Sequence, residues 1–295
     1  MELAMINLSK QFKDKTAVDD VCLRLTPGVW GLLGANGAGK TTLMRMIADI
    51  LKPTCGKILY DGKEIQGMGE GYRDLLGFLP QEFGFFQEFT VKDYLEYMAA
   101  LKDVPARERR KRIDSLLDVL TLANVKRKKI LKLSGGMRRR VGIAQAMLND
   151  PKILIMDEPT AGLDPGERVR FRNIISEFSH GRIVLISTHI VSDIEYISTQ
   201  NALMKKGKIL GVGTTEELVK QVVGKVWTCM VPAGQMPMYE RQLRIINQRS
   251  EEGNQVAIRY LADEGKTRDS VMAPPRLEDL YLWLFPQEES REEGK

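Results

Sequence analysis

Cysteine and histidine are nearly missing from this chain. Three cysteines, Cys22, Cys55 and Cys229, stand far apart, and only two histidines join them in 295 residues. No Cys-x-x-Cys or Cys/His spacing of the kind that holds zinc occurs, which speaks against a structural metal site and a disulfide framework. The cysteines are expected as small buried apolar residues in a reducing cytoplasm. No apolar run approaches the roughly 18 residues of a membrane-crossing helix, so the chain is expected not to span a bilayer by itself. Its start, Met1-Glu2-Leu3-Ala4-Met5-Ile6, lacks the basic residues and long apolar stretch of a secretory signal. There is no internal repeat. What is there is ordinary for a globular protein: 43% apolar and 28% charged residues, with length enough for about two domains. A net charge of +5 suits nucleic acid, acidic lipid or neither.

The most informative stretch is Gly34-Ala35-Asn36-Gly37-Ala38-Gly39-Lys40-Thr41-Thr42. It comes after the apolar run Val29-Trp30-Gly31-Leu32-Leu33 and leads into Leu43-Met44-Arg45-Met46-Ile47-Ala48, which has helical spacing. Strand, glycine loop and helix form the context of a phosphate-binding P-loop. The glycines let backbone N–H groups turn towards an anion, and the helix start adds partial positive charge. Lys40 is expected to reach the β- and γ-phosphates of a nucleoside triphosphate, and Thr41 to offer its hydroxyl to Mg²⁺.

Upstream, residues 2–8 read as an edge strand and Val21-Cys22-Leu23-Arg24-Leu25 as another, with Phe12 in a polar loop between them. A lone aromatic there is either a core anchor or a platform for a purine ring. Downstream, Lys57-Ile58-Leu59-Tyr60 before Asp61-Gly62 signals a hairpin. Residues 82–132 have helical periodicity and no convincing strand, so an all-helical insert (about 82–150) is expected. The run Ile153-Leu154-Ile155-Met156-Asp157-Glu158 reads as a buried parallel strand ending in two acids. Further helix and strand alternation, with a capping box at Thr214-Thr215-Glu216-Glu217 opening the last helix, completes a first domain at about residue 222. Strands at 226–231 and 255–260 and an amphipathic helix over 276–285 then make a small α+β appendage, residues 223–295, with a polar tail from Gln287.

Several residues gather at the expected C-terminal edge of the sheet. Asp157 suits a metal carboxylate and Glu158 the base that deprotonates an attacking water. Gln81 can bind Mg²⁺ or that water through its amide, and His189 can hydrogen-bond a γ-phosphate without titrating. Leu133-Ser134-Gly135-Gly136-Met137 opens a basic helix, and a serine N-cap with two glycines is a second anion cradle. One nucleotide cannot easily be shared by both cradles of one chain. It can be shared between the P-loop of one copy and Ser134 of another, which points to a dimer closing over ATP.

Together these motifs resemble the ATP-binding subunit of an ABC transporter, and the antibiotic and multidrug exporter group in particular. The resemblance covers residues 1–222. It implies a P-loop NTPase sheet of the ABC ATPase type with an all-helical insert, followed by the small C-terminal α+β appendage. It assigns Phe12 to adenine stacking, residues 34–42 (Asn36, Gly37, Ala38, Gly39, Lys40, Thr41 and Thr42 among them) to the Walker A motif and Gln81 to the Q-loop. Ser134, Gly135 and Gly136 fall in the signature motif, Asp157 and Glu158 end the Walker B strand, Asp164 falls in the D-loop and His189 is the switch histidine. Met137 stands where the family usually has Gln. The implied cofactors are ATP and Mg²⁺. The implied partners are transmembrane permease subunits and a second copy or homologous subunit, with the chain peripheral at the cytoplasmic face of the membrane.

An alternative is a non-transport ABC ATPase acting on nucleic acid or ribosomes. Such proteins usually carry a second nucleotide domain, a coiled-coil insert or zinc-binding cysteines, none of which occurs here, so no nucleic acid is expected. A kinase or GTPase switch leaves the Ser134 motif and His189 unexplained. Two surfaces stay open. Phe83-Gly84-Phe85-Phe86-Gln87-Glu88-Phe89 is either a groove for a membrane partner's short helix or part of the insert's core. The basic clusters at 107–112 and 126–129 are better read as solvated helix faces than as lipid contacts.

Overall fold

The computed structural model describes residues 1–82 and 84–286. Phe83, expected in the aromatic stretch, and the polar tail from Gln287 lie outside the described residues. The chain forms two compact units, Met1–Val212 and Gly213–Lys295.

In chain order the first unit contains β1 (Leu3–Phe12), β2 (Lys15–Leu25), β3 (Gly28–Leu33), α1 (Lys40–Ile47), β4 (Cys55–Tyr60), β5 (Lys63–Glu64), α2 (Ile65–Met68), α3 (Glu70–Arg73) and β6 (Leu76–Leu79). It continues with α4 (Val91–Leu101), α5 (Ala106–Val119), α6 (Gly135–Met147), β7 (Ile153–Asp157), α7 (Pro165–Phe178), β8 (Ile183–Thr188), α8 (Val191–Ile194), β9 (Gln200–Lys205) and β10 (Lys208–Gly213).

A six-stranded sheet of order β10-β9-β3-β8-β7-β6 carries the architecture. The pairs β9–β3, β3–β8, β8–β7 and β7–β6 are all parallel. Every residue of β7 and β8 is buried, as strands covered on both faces require. The second sheet, β2-β1-β4-β5, is antiparallel and shares one apolar core with the first through Leu3, Met5, Leu23, Leu32, Met44 and Ile155. This corrects the reading of residues 2–8 as an edge strand: β1 is longer and lies between β2 and β4, because its Leu3, Ala4, Met5 and Leu8 need partners on both sides. The Asp61-Gly62 turn joins β4 to β5 with φ of +47° and +81°, the left-handed pair that a tight hairpin uses. Between β6 and β7 the regular elements are helical: α4, α5 and α6, with one isolated bridge between Thr90 and Lys129.

Cysteine placement departs from expectation. Cys229 is buried, whereas Cys22 and Cys55 are exposed at positions of the antiparallel sheet that face outward.

The second unit contains α9 (Thr215–Val219), β11 (Val226–Pro232), α10 (Met236–Gln242), β12 (Arg244–Glu251), β13 (Gln255–Leu261), β14 (Val271–Met272) and α11 (Leu277–Leu284). Its antiparallel sheet has order β12-β13-β11-β14 over a core of Cys229, Val231, Val256, Ile258 and Tyr260. The Thr214 capping box forms, with its hydroxyl accepting from the Glu217 N–H at 3.2 Å, but the helix it opens packs on α11 and belongs to this unit, not the first. Arg259 donates to both carboxylate oxygens of the buried Asp279, tying β13 to α11. Strand β12 escapes sequence reading because it is an edge strand whose residues 247–250 are polar and exposed.

Candidate functional site

Neighbouring parallel strands bring the loops at their C-terminal ends to a single edge of the sheet. Here β3 leads into residues 34–39, β6 into Pro80-Gln81, β7 ends at Asp157 before Glu158, and β8 ends in Ser187-Thr188 before His189. Four segments far apart in sequence therefore meet at one place.

The loop after β3 admits no side chain where it bends. Gly39 has φ +107°, and a β-carbon there would lie 2.2 Å from the Ala17 carbonyl oxygen. A β-carbon on Gly34 would lie 2.3 Å from the Met204 carbonyl oxygen. Lys40 is 6% exposed, and its ammonium donates to the carbonyls of Gly34 at 2.6 Å and Ala35 at 3.1 Å. Burial pushes its pKa below the ordinary lysine value, against the opposing pull of the Glu158 and Asp157 carboxylates.

Around this loop lies a cavity of about 420 Å³, within the range of small-molecule sites. Phe12, Asn36, Gly37, Ala38, Gly39, Lys40, Thr41, Thr42, Gln81 and Glu158 all line it, joined by Lys15 and Ala17, which sequence reading did not single out. Phe12 ends β1 rather than lying in a loop, and at 46% exposure it is no core anchor; the Lys10 ammonium lies 5.3 Å from its ring centroid.

The acidic pair is held firmly. Asp157 is 1% exposed and accepts a short hydrogen bond from the Ser187 hydroxyl. The same hydroxyl oxygen accepts from the Glu158 N–H at 3.1 Å. Glu158 adopts φ +51°, a left-handed conformation uncommon for a residue with a β-carbon. Its carboxylate meets Nδ1 of His189 at 2.9 Å. Ser187 was not singled out from sequence; its place one strand over from Asp157 depends on the β7–β8 register, which pairs the two residues.

Ser134, Gly135, Gly136 and Asp164 do not line the cavity. They form a separate cluster at two helix starts. Ser134 caps α6, accepting from the Met137 N–H at 3.2 Å, and Asp164 caps α7, accepting from the Glu167 N–H at 2.7 Å. Glu167 joins the two: its Oε1 accepts from Arg140 Nη2 at 2.7 Å, and a β-carbon on Gly136 would lie 2.2 Å from its Oε2.

Thr41, which lines the cavity, and Asp157, buried at the end of β7, offer a hydroxyl and a carboxylate, hard oxygen donors that fit Mg²⁺ bound through phosphate and water. Among the described residues no cluster of three or more His, Cys, Asp and Glu side chains gathers to hold a metal.

Fold and site together define a P-loop ATPase with a helical subdomain. A family model for the ABC transporter matches residues 18–161. The chain is 30% identical over 293 residues to the Nod factor export ATP-binding protein I of Rhizobium etli, spanning 96% of this chain and 92% of that protein. It is 34% identical over 230 residues to the daunorubicin resistance ATP-binding protein DrrA3 of Streptomyces coeruleorubidus, spanning 77% and 73%. Its fold is similar to the dimeric structure of MJ0796, a bacterial ABC transporter cassette, with a TM-score of 0.67, 25% identity and coverage of 72% and 98%. It matches the same cassette in a dimeric post-hydrolysis state bound to ADP and Pi with a TM-score of 0.66, 25% identity and the same coverage. The chain belongs to the ABC transporter family: it is an ATP-binding subunit, and it hydrolyses ATP.

Proposed function

We propose that this subunit drives an exporter, working as a pair of chains that close head to tail over two molecules of Mg-ATP. The observation that carries this reading is the separation of the two cradles: Ser134–Gly136 does not line the cavity built by its own P-loop. A second copy, turned to face the first, supplies the missing side of each pocket.

Within each pocket Phe12 stacks on the adenine, and the backbone of residues 36–42 with the Lys40 ammonium grips the phosphates. Thr41, Gln81 and Asp157 would hold Mg²⁺, whose charge offsets that developing on the transferred phosphoryl group. Glu158 takes the proton of the attacking water, while His189 holds the Glu158 carboxylate and reaches the γ-phosphate. Swinging an open:closed ratio from 1:99 to 99:1 needs about 5.5 kcal/mol of preference for the closed state. Two triphosphates, each gripped by charged and backbone donors from both chains, are a sufficient source.

Closure is passed to transmembrane permease subunits at the cytoplasmic face of the membrane; no helix of the described residues is long and apolar enough to cross one. The docking surface is the aromatic group beyond Gln81. Phe86 is 51% and Tyr97 41% exposed, and they pack with Phe89 at centroid distances of 4.9 to 5.8 Å. An exposed ring cluster of this kind suits the apolar face of a short helix. The basic clusters of the insert are partly neutralised within the chain, Arg112 by Asp150, Lys126 by Asp114 and Lys129 by Glu88, which supports a solvated face over a nucleic-acid surface. Export rather than import is the reading because relatives spanning most of the chain are named for Nod factor export and daunorubicin resistance.

The deciding experiment uses Glu158→Gln protein with Mg-ATP, with molar mass followed by light scattering. The expected result is a dimer that Ser134→Ala weakens. A strictly monomeric Glu158→Gln protein, even beside its membrane subunits, overturns the scheme.

A further inference from the structure

The helix that starts at Ser134 sends one buried side chain back to the loops that carry Gln81 and Glu158. Arg139 lies five residues after Ser134 on α6 and is 7% exposed. Its guanidinium donates to five backbone carbonyls from two loops. Nη1 reaches Pro80 at 3.0 Å and Gln81 at 2.7 Å. Nη2 reaches Glu158 at 2.8 Å and makes a short contact with Asp157, and Nε reaches Pro159 at 3.3 Å. A guanidinium carries five N–H donors in one rigid plane, so it can serve several acceptors in fixed directions where an ammonium cannot.

Those acceptors belong to residues on which hydrolysis depends. The left-handed φ of +51° at Glu158 needs enforcement from its surroundings. Its N–H is held by the Ser187 carbonyl at 3.2 Å and the Ser187 hydroxyl at 3.1 Å. Its carbonyl is held by Arg139. The two grips come from different elements, one from β8 and one from α6. We propose that Arg139 is a positioning residue for ATP hydrolysis: it fixes the backbone of Glu158 and Gln81 from α6, so the helix capped by Ser134 sets the aim of the base. This rests on the assignment of Glu158 as the base. In a head-to-tail pair it links the two sites, because the Ser134 end of α6 faces the partner's nucleotide while Arg139 holds the base for the chain's own.

The test is Arg139→Lys, which keeps the charge and loses the planar fork, with Arg139→Ala as a second variant. Misplacement of a reacting group by about 1 Å costs about 100-fold, and kcat of Arg139→Lys is expected to fall by that order while KM for ATP stays within about threefold. ATP-dependent dimer formation in the Glu158→Gln background is expected to survive Arg139→Lys. Guanidinium ions are expected to restore several-fold activity to Arg139→Ala, a rescue that general damage to the fold does not show. Retention of kcat within about twofold in Arg139→Lys, or loss of ATP binding in step with kcat and no rescue, overturns the proposal. A Glu158→Gln protein that hydrolyses ATP at the unaltered rate instead removes the base assignment, and the positioning role with it.

Discussion

Nδ1 of His189 lies 2.9 Å from Oε1 of Glu158, although 31 residues separate them in the chain. The contact exists because β7 and β8 are parallel neighbours in register, so the residues just past their ends face each other across the sheet edge. The imidazole is 46% exposed and the carboxylate 10%; Glu158 lines the cavity and His189 stands behind it, outside the lining. His189→Ala is expected to lower kcat by about 10²–10⁴ while ATP affinity changes by less than about threefold. Steady-state phosphate release and equilibrium nucleotide binding on the same preparation check it; equal losses in both would assign the histidine to ground-state binding alone.

The glycines of the chain are not equivalent. Gly39→Ala places a β-carbon 2.2 Å from the Ala17 carbonyl oxygen at a φ of +107°. The expected outcome is a loss of about 1–3 kcal/mol in stability and a collapse of ATP binding. At Gly135, on the first turn of α6, a β-carbon meets nothing within 4 Å. Gly135→Ala is expected to leave stability within about 1 kcal/mol and binding to the isolated monomer unchanged. Thermal unfolding with and without ATP separates the two.

Phe12 gives a test of base stacking that does not disturb the core. At 46% exposure, its truncation to alanine is expected to shift stability by no more than about 0.5 kcal/mol. Stacking of a base on an aromatic ring is worth about 1–3 kcal/mol, so the Kd for ATP is expected to rise about 5- to 150-fold in Phe12→Ala. Inorganic tripolyphosphate, which has no base, is expected to bind both proteins alike. Isothermal titration with the two ligands decides it.

Lys102, at the C-terminal end of α4, has its pKa pushed down to about 8 by burial. A lysine with a depressed folded-state pKa binds fewer protons folded than unfolded between the two values. Its burial therefore penalises the fold fully below pH 8, and the penalty is relieved as pH rises from about 8 towards the ordinary 10.5. Hydrogen bonds to Asn149 Oδ1 at 2.8 Å and the Ala146 carbonyl at 3.5 Å offset part of the penalty. Lys102→Met is expected to remove on the order of 2 kcal/mol of rise in stability across that window relative to the unaltered protein. Denaturant titrations at pH 7.5 and 10 check the difference.

Some of this molecule can be read from local chemistry. The Asp61-Gly62 hairpin, the Thr214 capping box, the helical insert and the strand–loop–helix around Lys40 each depend on residues within a few positions of one another. Other features cannot be read that way. Strand β12 has too few apolar residues to announce itself, and the exposure of Cys22 and Cys55 depends on which face of the antiparallel sheet meets the core. The triplet Arg138-Arg139-Arg140 reads only as the start of a basic helix, yet Arg139 and Arg140 are buried with their charges spread over carbonyls and Glu167. A run of like charges shows its composition, not the acceptors that await it.

By itself the sequence determined the phosphate loop, the buried acidic strand and the serine-glycine helix start, because glycine spacing, apolar continuity and N-cap chemistry act over a handful of bonds. Only the tertiary structure decided that Ser187 holds both Asp157 and Glu158, that Phe12 stands exposed beside the loop, and that Arg139 is buried against the carbonyls of Gln81 and Glu158. Those outcomes depend on strand order and register, which are settled by how whole faces of apolar residues are buried against one another and not by any neighbouring pair along the chain.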